Sequence, residues 1–178
     1  MKKTLKKLTL FMAIALTLIF SNGLVAKAEG DYDLDPIIEI QAHVQDRGWM
    51  GWQHNGVMVG TTGQGLRMEA IQIRLKAPYT NDKNLHIQYR VHVQNKGWMP
   101  WVKDGGTAGT VGEALRIEAI QIKVVDNNGN LRSDYRVGYY AHVQNIGWTG
   151  SGYDGQTVGT VGQELRMEAI CIGVEKIK

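Results

Sequence analysis

The feature that most constrains this chain is a threefold internal repeat. Residues 42–49 read A-H-V-Q-D-R-G-W, residues 91–98 read V-H-V-Q-N-K-G-W and residues 141–148 read A-H-V-Q-N-I-G-W. The second halves match as well: G-T-T-G-Q-G-L-R-M-E-A-I-Q-I from Gly60, G-T-V-G-E-A-L-R-I-E-A-I-Q-I from Gly109 and G-T-V-G-Q-E-L-R-M-E-A-I-C-I from Gly159. The copies are offset by 49 and 50 residues, without a gap inside a unit. The units span 37–75, 86–124 and 136–174. A unit of about 39 residues can hardly bury a core alone, so the three must share one. Three similar units in one chain can close around a pseudo-threefold axis. That predicts a β-prism-like fold, with a β-trefoil as the alternative.

Each unit reads as β. Tyr89 to Gln94 alternates apolar and polar residues, the period of a half-buried strand. From Leu115 to Val124 the apolar phase changes: Leu115 and Ile117 share one phase, and Ile120, Ile122 and Val124 share the other. Such a shift predicts a bulge near Ala119. Asn55-Gly56, Asp104-Gly105 and Asp154-Gly155 favour tight hairpin turns, because both residues tolerate positive φ. The stretches 76–85 and 125–135 read as linkers. No segment has a convincing helical period.

Composition narrows the class. With 43% hydrophobic residues the chain can pack a core, and its single cysteine excludes a disulfide scaffold or a Cys-rich metal site. Residues 1–28 read as a secretory signal peptide. Lys2, Lys3, Lys6 and Lys7 precede an apolar run from Leu8 to Phe20, and Ala26-Lys27-Ala28 offers a cleavage site. The run is too short for a comfortable membrane span. Five lysines leave with the leader, so the formal charge falls from +3 to −2. A slightly acidic exported domain is a poor candidate for binding nucleic acid, and no membrane insertion is expected after cleavage. Residues 29–36 read as a flexible lead-in to a single β domain over 37–178.

The motifs H-V-Q-N-x-G-W, the following W and D-G, and G-T-x-G-x-x-L-R-x-E-A-I-x-I resemble the ChW repeats, the clostridial hydrophobic repeats with a conserved tryptophan. The resemblance covers nearly all of 37–174. It implies a secreted protein of clostridia or related Gram-positive bacteria with a role in extracellular adhesion or ligand binding.

Comparing the units sorts the candidate residues. Trp49, Trp98 and Trp148 occupy one position in all three, which predicts a shared core role. Trp52 and Trp101 occupy a second position, where the third unit has Ser151. An aromatic near a turn can stack a sugar ring, so Trp52 and Trp101, with Asn55, Asp104, Asp154 and Tyr153, form the candidate ligand-binding set. His43, His92 and His142 could meet on a threefold axis around zinc, but a hydrogen-bonded strand histidine is the simpler reading, and no metal or cofactor is expected. Arg67 and Glu69, Arg116 and Glu118, and Arg166 and Glu168 are spaced to share a strand face as ion pairs. Gln45, Gln94 and Gln144 are expected to bond backbone groups. Asp126 to Asn130 reads as a turn, since the spacing of a calcium loop fails at Leu131 and Val137. Cys171, alone at its position, is either buried or a reactive thiol. No hydrolase, zincin or phosphate-loop motif occurs, so no catalytic residue is assigned. The sequence therefore predicts a secreted, non-enzymatic binding or adhesion module for a glycan or cell-surface component. The alternative is a module that binds a protein of the cell wall or of a host.

Overall fold

A computed structural model describes residues 36–177. The leader read at 1–28 and nearly all of the lead-in lie outside them. The first unit contains β1 (Ile38–Val44), β2 (Gly48–Trp49), β3 (Gln53–His54), β4 (Met58–Gly60) and β5 (Met68–Leu75). The second contains β6 (His86–Val93), β7 (Gly97–Trp98), β8 (Val102–Lys103), β9 (Ala108–Gly109) and β10 (Ile117–Val125). The third contains β11 (Tyr135–Val143), β12 (Gly147–Trp148), β13 (Gly152–Tyr153), β14 (Val158–Gly159) and β15 (Met167–Lys176). One 3₁₀ turn, Tyr79–Asn81, is the sole helical element among the described residues.

In each unit the first and last strands pair antiparallel along their length, and two short strands pair with the first. The fifth strand of every sheet comes from another unit. β9 of the second unit completes the first unit's sheet, β14 of the third completes the second's, and β4 of the first completes the third's. The chain thus forms three five-stranded sheets linked in a ring, and no closed barrel. An all-β, pseudo-threefold arrangement of three repeats is present, of the prism- or trefoil-like kind.

One glycine position makes the exchange possible. Gly60, Gly109 and Gly159 have φ of 102°, 108° and 103°, and their Cα atoms lie against the backbone of the accepting strand. A Cβ at Gly109 would overlap the carbonyl oxygen of Glu69, and at Gly159 that of Glu118. The next residue then donates across the seam: Thr110 N to Glu69 O at 2.9 Å, Thr160 N to Glu118 O at 2.8 Å and Thr61 N to Glu168 O at 2.9 Å.

Inward residues from all three units form one core. It includes Ile38, Ile40, Ala42 and Val44 of β1, Ile87, Tyr89, Val91 and Val93 of β6, and Val137, Tyr139, Ala141 and Val143 of β11. The long strands alternate buried and part-exposed residues, as the sequence period requires. The phase change on β10 is a bulge: Ile117 pairs with Val93 and Ala119 with His92, so Glu118 is the extra residue. That residue lets Ile117 and Ile120 both enter the core. Ala42 to Val44 against Met68 to Ala70, and Ala141 to Val143 against Met167 to Ala169, repeat the device.

The Asp-Gly pairs adopt the expected positive φ, 50° and 92° at Asp104-Gly105 and 46° and 95° at Asp154-Gly155. They are not hairpin tips, however. The turn at Asp104-Gly105 joins β8 in one sheet to β9 in the next, and Gly105 N donates to Ile73 O of the neighbouring unit at 2.7 Å. A local turn signal fixes the bend of the chain but not the sheet that the following strand joins.

If the glycine contact governs ring closure, Gly109→Ala will lose about 3 kcal/mol of unfolding free energy, from overpacking and backbone strain. Gly112→Ala, at positive φ but facing open space, will lose about 1 kcal/mol. Denaturant unfolding of both variants checks the difference.

Candidate functional site

Each sheet turns one face to the core and leaves the other to solvent. The most regular feature of the outer face is a buried carboxylate. Glu69, Glu118 and Glu168 are 4–5% exposed. Burying a charge is costly unless it is fully paired. Glu118 meets that need with Arg116, whose Nε and Nη2 lie 2.9 and 2.8 Å from Oε1, and with His92 Nδ1 at 2.9 Å from Oε2. The first and third units repeat the arrangement with Arg67 and His43 and with Arg166 and His142. The predicted ion pairs at i, i+2 are therefore present, and His92 and His142 are hydrogen-bonded to the glutamate of their own sheet, while His43 Nδ1 lies 3.0 Å from Glu69 Oε2 without hydrogen-bond geometry. Gln45 departs from the reading: its side-chain oxygen accepts from Arg67 Nη1 at 2.7 Å, not from backbone.

The tryptophans that recur in every unit are not core residues. Trp49 is 36% exposed, Trp98 and Trp148 are half-buried, and none belongs to the central cluster. The cause is register. Trp98 pairs with His92, which points outward between the inward Val91 and Val93, and cross-strand partners share a face. Each indole therefore meets its histidine edge-on, with ring centroids 5.4 to 5.5 Å apart. Recurrence here reflects cover over the buried Glu–His pair.

The second tryptophan position carries cations. The guanidinium carbon of Arg74 lies 3.9 Å from the ring centre of Trp52, and Arg74 is also bound to Glu39, with Nη2 at 2.7 Å from Oε2. In the second unit, Arg90 and Lys123 lie 4.7 and 4.6 Å from the ring of Trp101. Both tryptophans are half-buried. In the third unit Ser151 replaces the tryptophan, Gly173 stands where Arg74 and Lys123 stand, and Gly138 stands where Glu39 stands. The ring of Tyr153 packs on Gly138, where an added Cβ would lie 3.0 Å from Cε1.

The polar members of the predicted set are already engaged. Asp104 Oδ1 accepts from Ile87 N at 3.1 Å, and Asp154 Oδ1 accepts from Val137 N at 3.0 Å. Asn55 Oδ1 accepts from Val174 N at 2.7 Å, and its Nδ2 donates to Val174 O at 3.0 Å. Asn55 therefore clasps the seam where the ring closes. Cys171 is on the same seam, buried, with Sγ 3.0 Å from Gly56 O, and burial pushes its thiol above the ordinary value. Asp126 accepts from Asn128 N and Asn130 N at 2.8 and 2.9 Å, closing the turn read there.

Comparison with known proteins gives the family. The model described as Clostridial hydrophobic W, ChW, matches residues 43–77, 92–126 and 142–176. The chain belongs to the ChW family. No curated protein and no solved structure matches it. Each ChW stretch starts at the histidine that meets the buried glutamate and runs to the end of the last long strand or just beyond it. Among the described residues, no helix is long and apolar enough to cross a membrane.

Sequence reasoning missed His86. Its Nδ1 lies 2.6 Å from Asp104 Oδ2 and its Nε2 2.7 Å from Asn127 Oδ1, joining the turn of the second unit to the linker that follows. Two acceptors favour the doubly protonated ring. The bonds to Asn127 first, and then to Asp104, raise its pKa above 6.5. Only the fold brings these three positions together, so no local motif could mark them.

Two outcomes test this layer. Trp98→Ala will cost about 1–2 kcal/mol in chemical denaturation, less than a core tryptophan, because only part of its area and one edge contact are lost. The stability supplied by His86 is fully present below its ordinary value near 6.5 and falls as the pH rises through its higher folded value. Denaturant midpoints from pH 5.5 to 8.5 will show that fall in the wild type and a flatter profile in His86→Gln.

Proposed function

We propose that the domain is an exported, non-enzymatic binding module for a glycan or other cell-surface component, with Trp52 and Trp101 as its stacking platforms. The leader read at 1–28 supports export. The observation that carries the binding reading is the joint replacement on the third sheet. Trp52 and Trp101 each hold a cation from the last long strand, and the third unit lacks both the tryptophan and the cation while keeping its five-stranded sheet. An indole that the scaffold can omit is available for a second task. A pyranose offers an apolar C–H face to such a ring and hydroxyls to the polar groups beside it. Each contact is weak, so two platforms on one chain act by avidity.

A glycan array probed with residues 29–178, alongside a cell-wall pull-down, identifies the ligand class. Trp52→Ala combined with Trp101→Ala will abolish binding to the glycan so identified, with the melting temperature changed by only a few degrees. Ser151→Ala will change neither. Unchanged calorimetric affinity in the folded double variant would place the site elsewhere, and capture of a wall or host protein without glycan would favour protein recognition.

A further inference from the structure

The three outer faces carry different charge. On the first sheet Glu39 neutralises Arg74. On the third, Gly138, Gly173 and Tyr140 stand at the positions of Gln88, Lys123 and Arg90. The second sheet is unlike either. Unit 86–124 has five basic residues (Arg90, Lys96, Lys103, Arg116 and Lys123) against three acidic ones. Every carboxylate there is committed: Asp104 to His86, Glu113 to Lys96, and Glu118 to Arg116 and His92. Arg90, Lys103 and Lys123 are left with no carboxylate within 4.0 Å among the described residues.

Register collects these three cations. Gln88 pairs with Lys103 on one side and with Lys123 on the other, and Arg90 is the next outward residue of β6. The guanidinium of Arg90 lies 4.9 Å from the ring centre of Trp98 and 4.7 Å from that of Trp101. Its Nε donates to Gln121 Oε1 at 2.8 Å, and its two terminal amino groups have no hydrogen-bond partner among the described residues. Two indoles and a glutamine thus fix the guanidinium with its fork unused. A planar fork held in place is suited to a bidentate contact with a carboxylate or phosphate.

We infer that the sheet of the second unit recognises a negatively charged glycan, whose acid group is bound by Arg90 and Lys123 while its sugar ring packs on Trp101. This rests on the binding function proposed above and names the ligand class for one of its two platforms. Lys103, exposed on the same face, adds long-range attraction. The first sheet, with its cation neutralised, contributes stacking without charge selection.

The test uses the mature chain and three probes of matched length by calorimetry: an oligogalacturonate, a phosphorylated mannan oligosaccharide and the same mannan without phosphate. The acidic probes should bind at least tenfold more tightly than the neutral one, and should weaken as salt rises from 50 to 300 mM. Arg90→Gln, which places the first unit's residue in the second, and Lys123→Gln should each weaken the acidic probes about tenfold and leave the neutral probe within twofold. A preference for one acidic probe assigns carboxylate or phosphate as the recognised group. Equal affinity for acidic and neutral probes, unaltered by Arg90→Gln and Lys123→Gln but lost in the double tryptophan variant, overturns the charge inference and leaves glycan stacking standing. Acidic-probe binding that survives Trp101→Ala, matched by duplex DNA or by vesicles containing phosphatidylglycerol, overturns glycan recognition at this face. Absence of binding to both acidic probes by folded protein overturns the inference outright.

Discussion

The architecture depends on one contact: a short strand from each unit laid against the last long strand of another, with a glycine at the point of closest approach. Without it each unit is a four-stranded sheet with an open edge and no partner for its inner face. With it, every sheet is built from two units, and burial in one unit requires folding of another. The ladder runs from the second unit to the first, from the third to the second and from the first to the third, so the ring has no free end.

The three seams share backbone geometry but not side chains. At two of them a buried tyrosine bridges the units. Tyr89 accepts from Ile73 N at 2.9 Å and Tyr139 from Ile122 N at 3.0 Å, and each donates to a carbonyl of its own unit. A glutamine also reaches across, Gln72 to Thr107 and Gln121 to Thr157, both at 2.8 Å. At the closing seam Ile40 replaces the tyrosine, and Cys171 opposes Met58 where the others pair glutamine with threonine. Asn55 supplies the missing polar bridge by clasping Val174. Both partners of the pair change together, so the closing seam satisfies itself by different chemistry. That difference marks which edges belong together and disfavours a unit pairing out of turn.

Most of the scaffold was legible because repetition and period are local signals. The three tandem copies, the alternation of Tyr89 to Gln94 and the bulge near Ala119 all follow from residue spacing. The partner of each short strand was not legible. Ala108-Gly109 and Val158-Gly159 are two residues long, and nothing in two residues says which sheet they join. The face of Trp98 was hidden for the same reason: G-W has no period, so only its pairing with His92 turns the ring outward. The candidate site was half legible. Position 52 and its equivalents were singled out by the odd third copy. Arg74 and Lys123 reach Trp52 and Trp101 from strands 22 residues further on in sequence, and Asn55 meets Val174 across a separation of 119 residues.

These constraints divide each strand between scaffold and display. Inward residues answer to a core shared by three units, so a change there disturbs all three. The buried glutamate fixes the end of each sheet near the Gly-Trp strand, because its two oxygens need both the arginine and the histidine. Between these lies the middle of the outer face, where a substitution disturbs neither the core nor the glutamate network. That is where the copies diverge most: a neutral Glu39–Arg74 pair beside Trp52, Arg90 and Lys123 against Trp101, and Gly138 covered by Tyr153. A ring of three sheets held together from the inside can therefore vary each outer face independently, and the three faces of this chain present three different surfaces on one shared core.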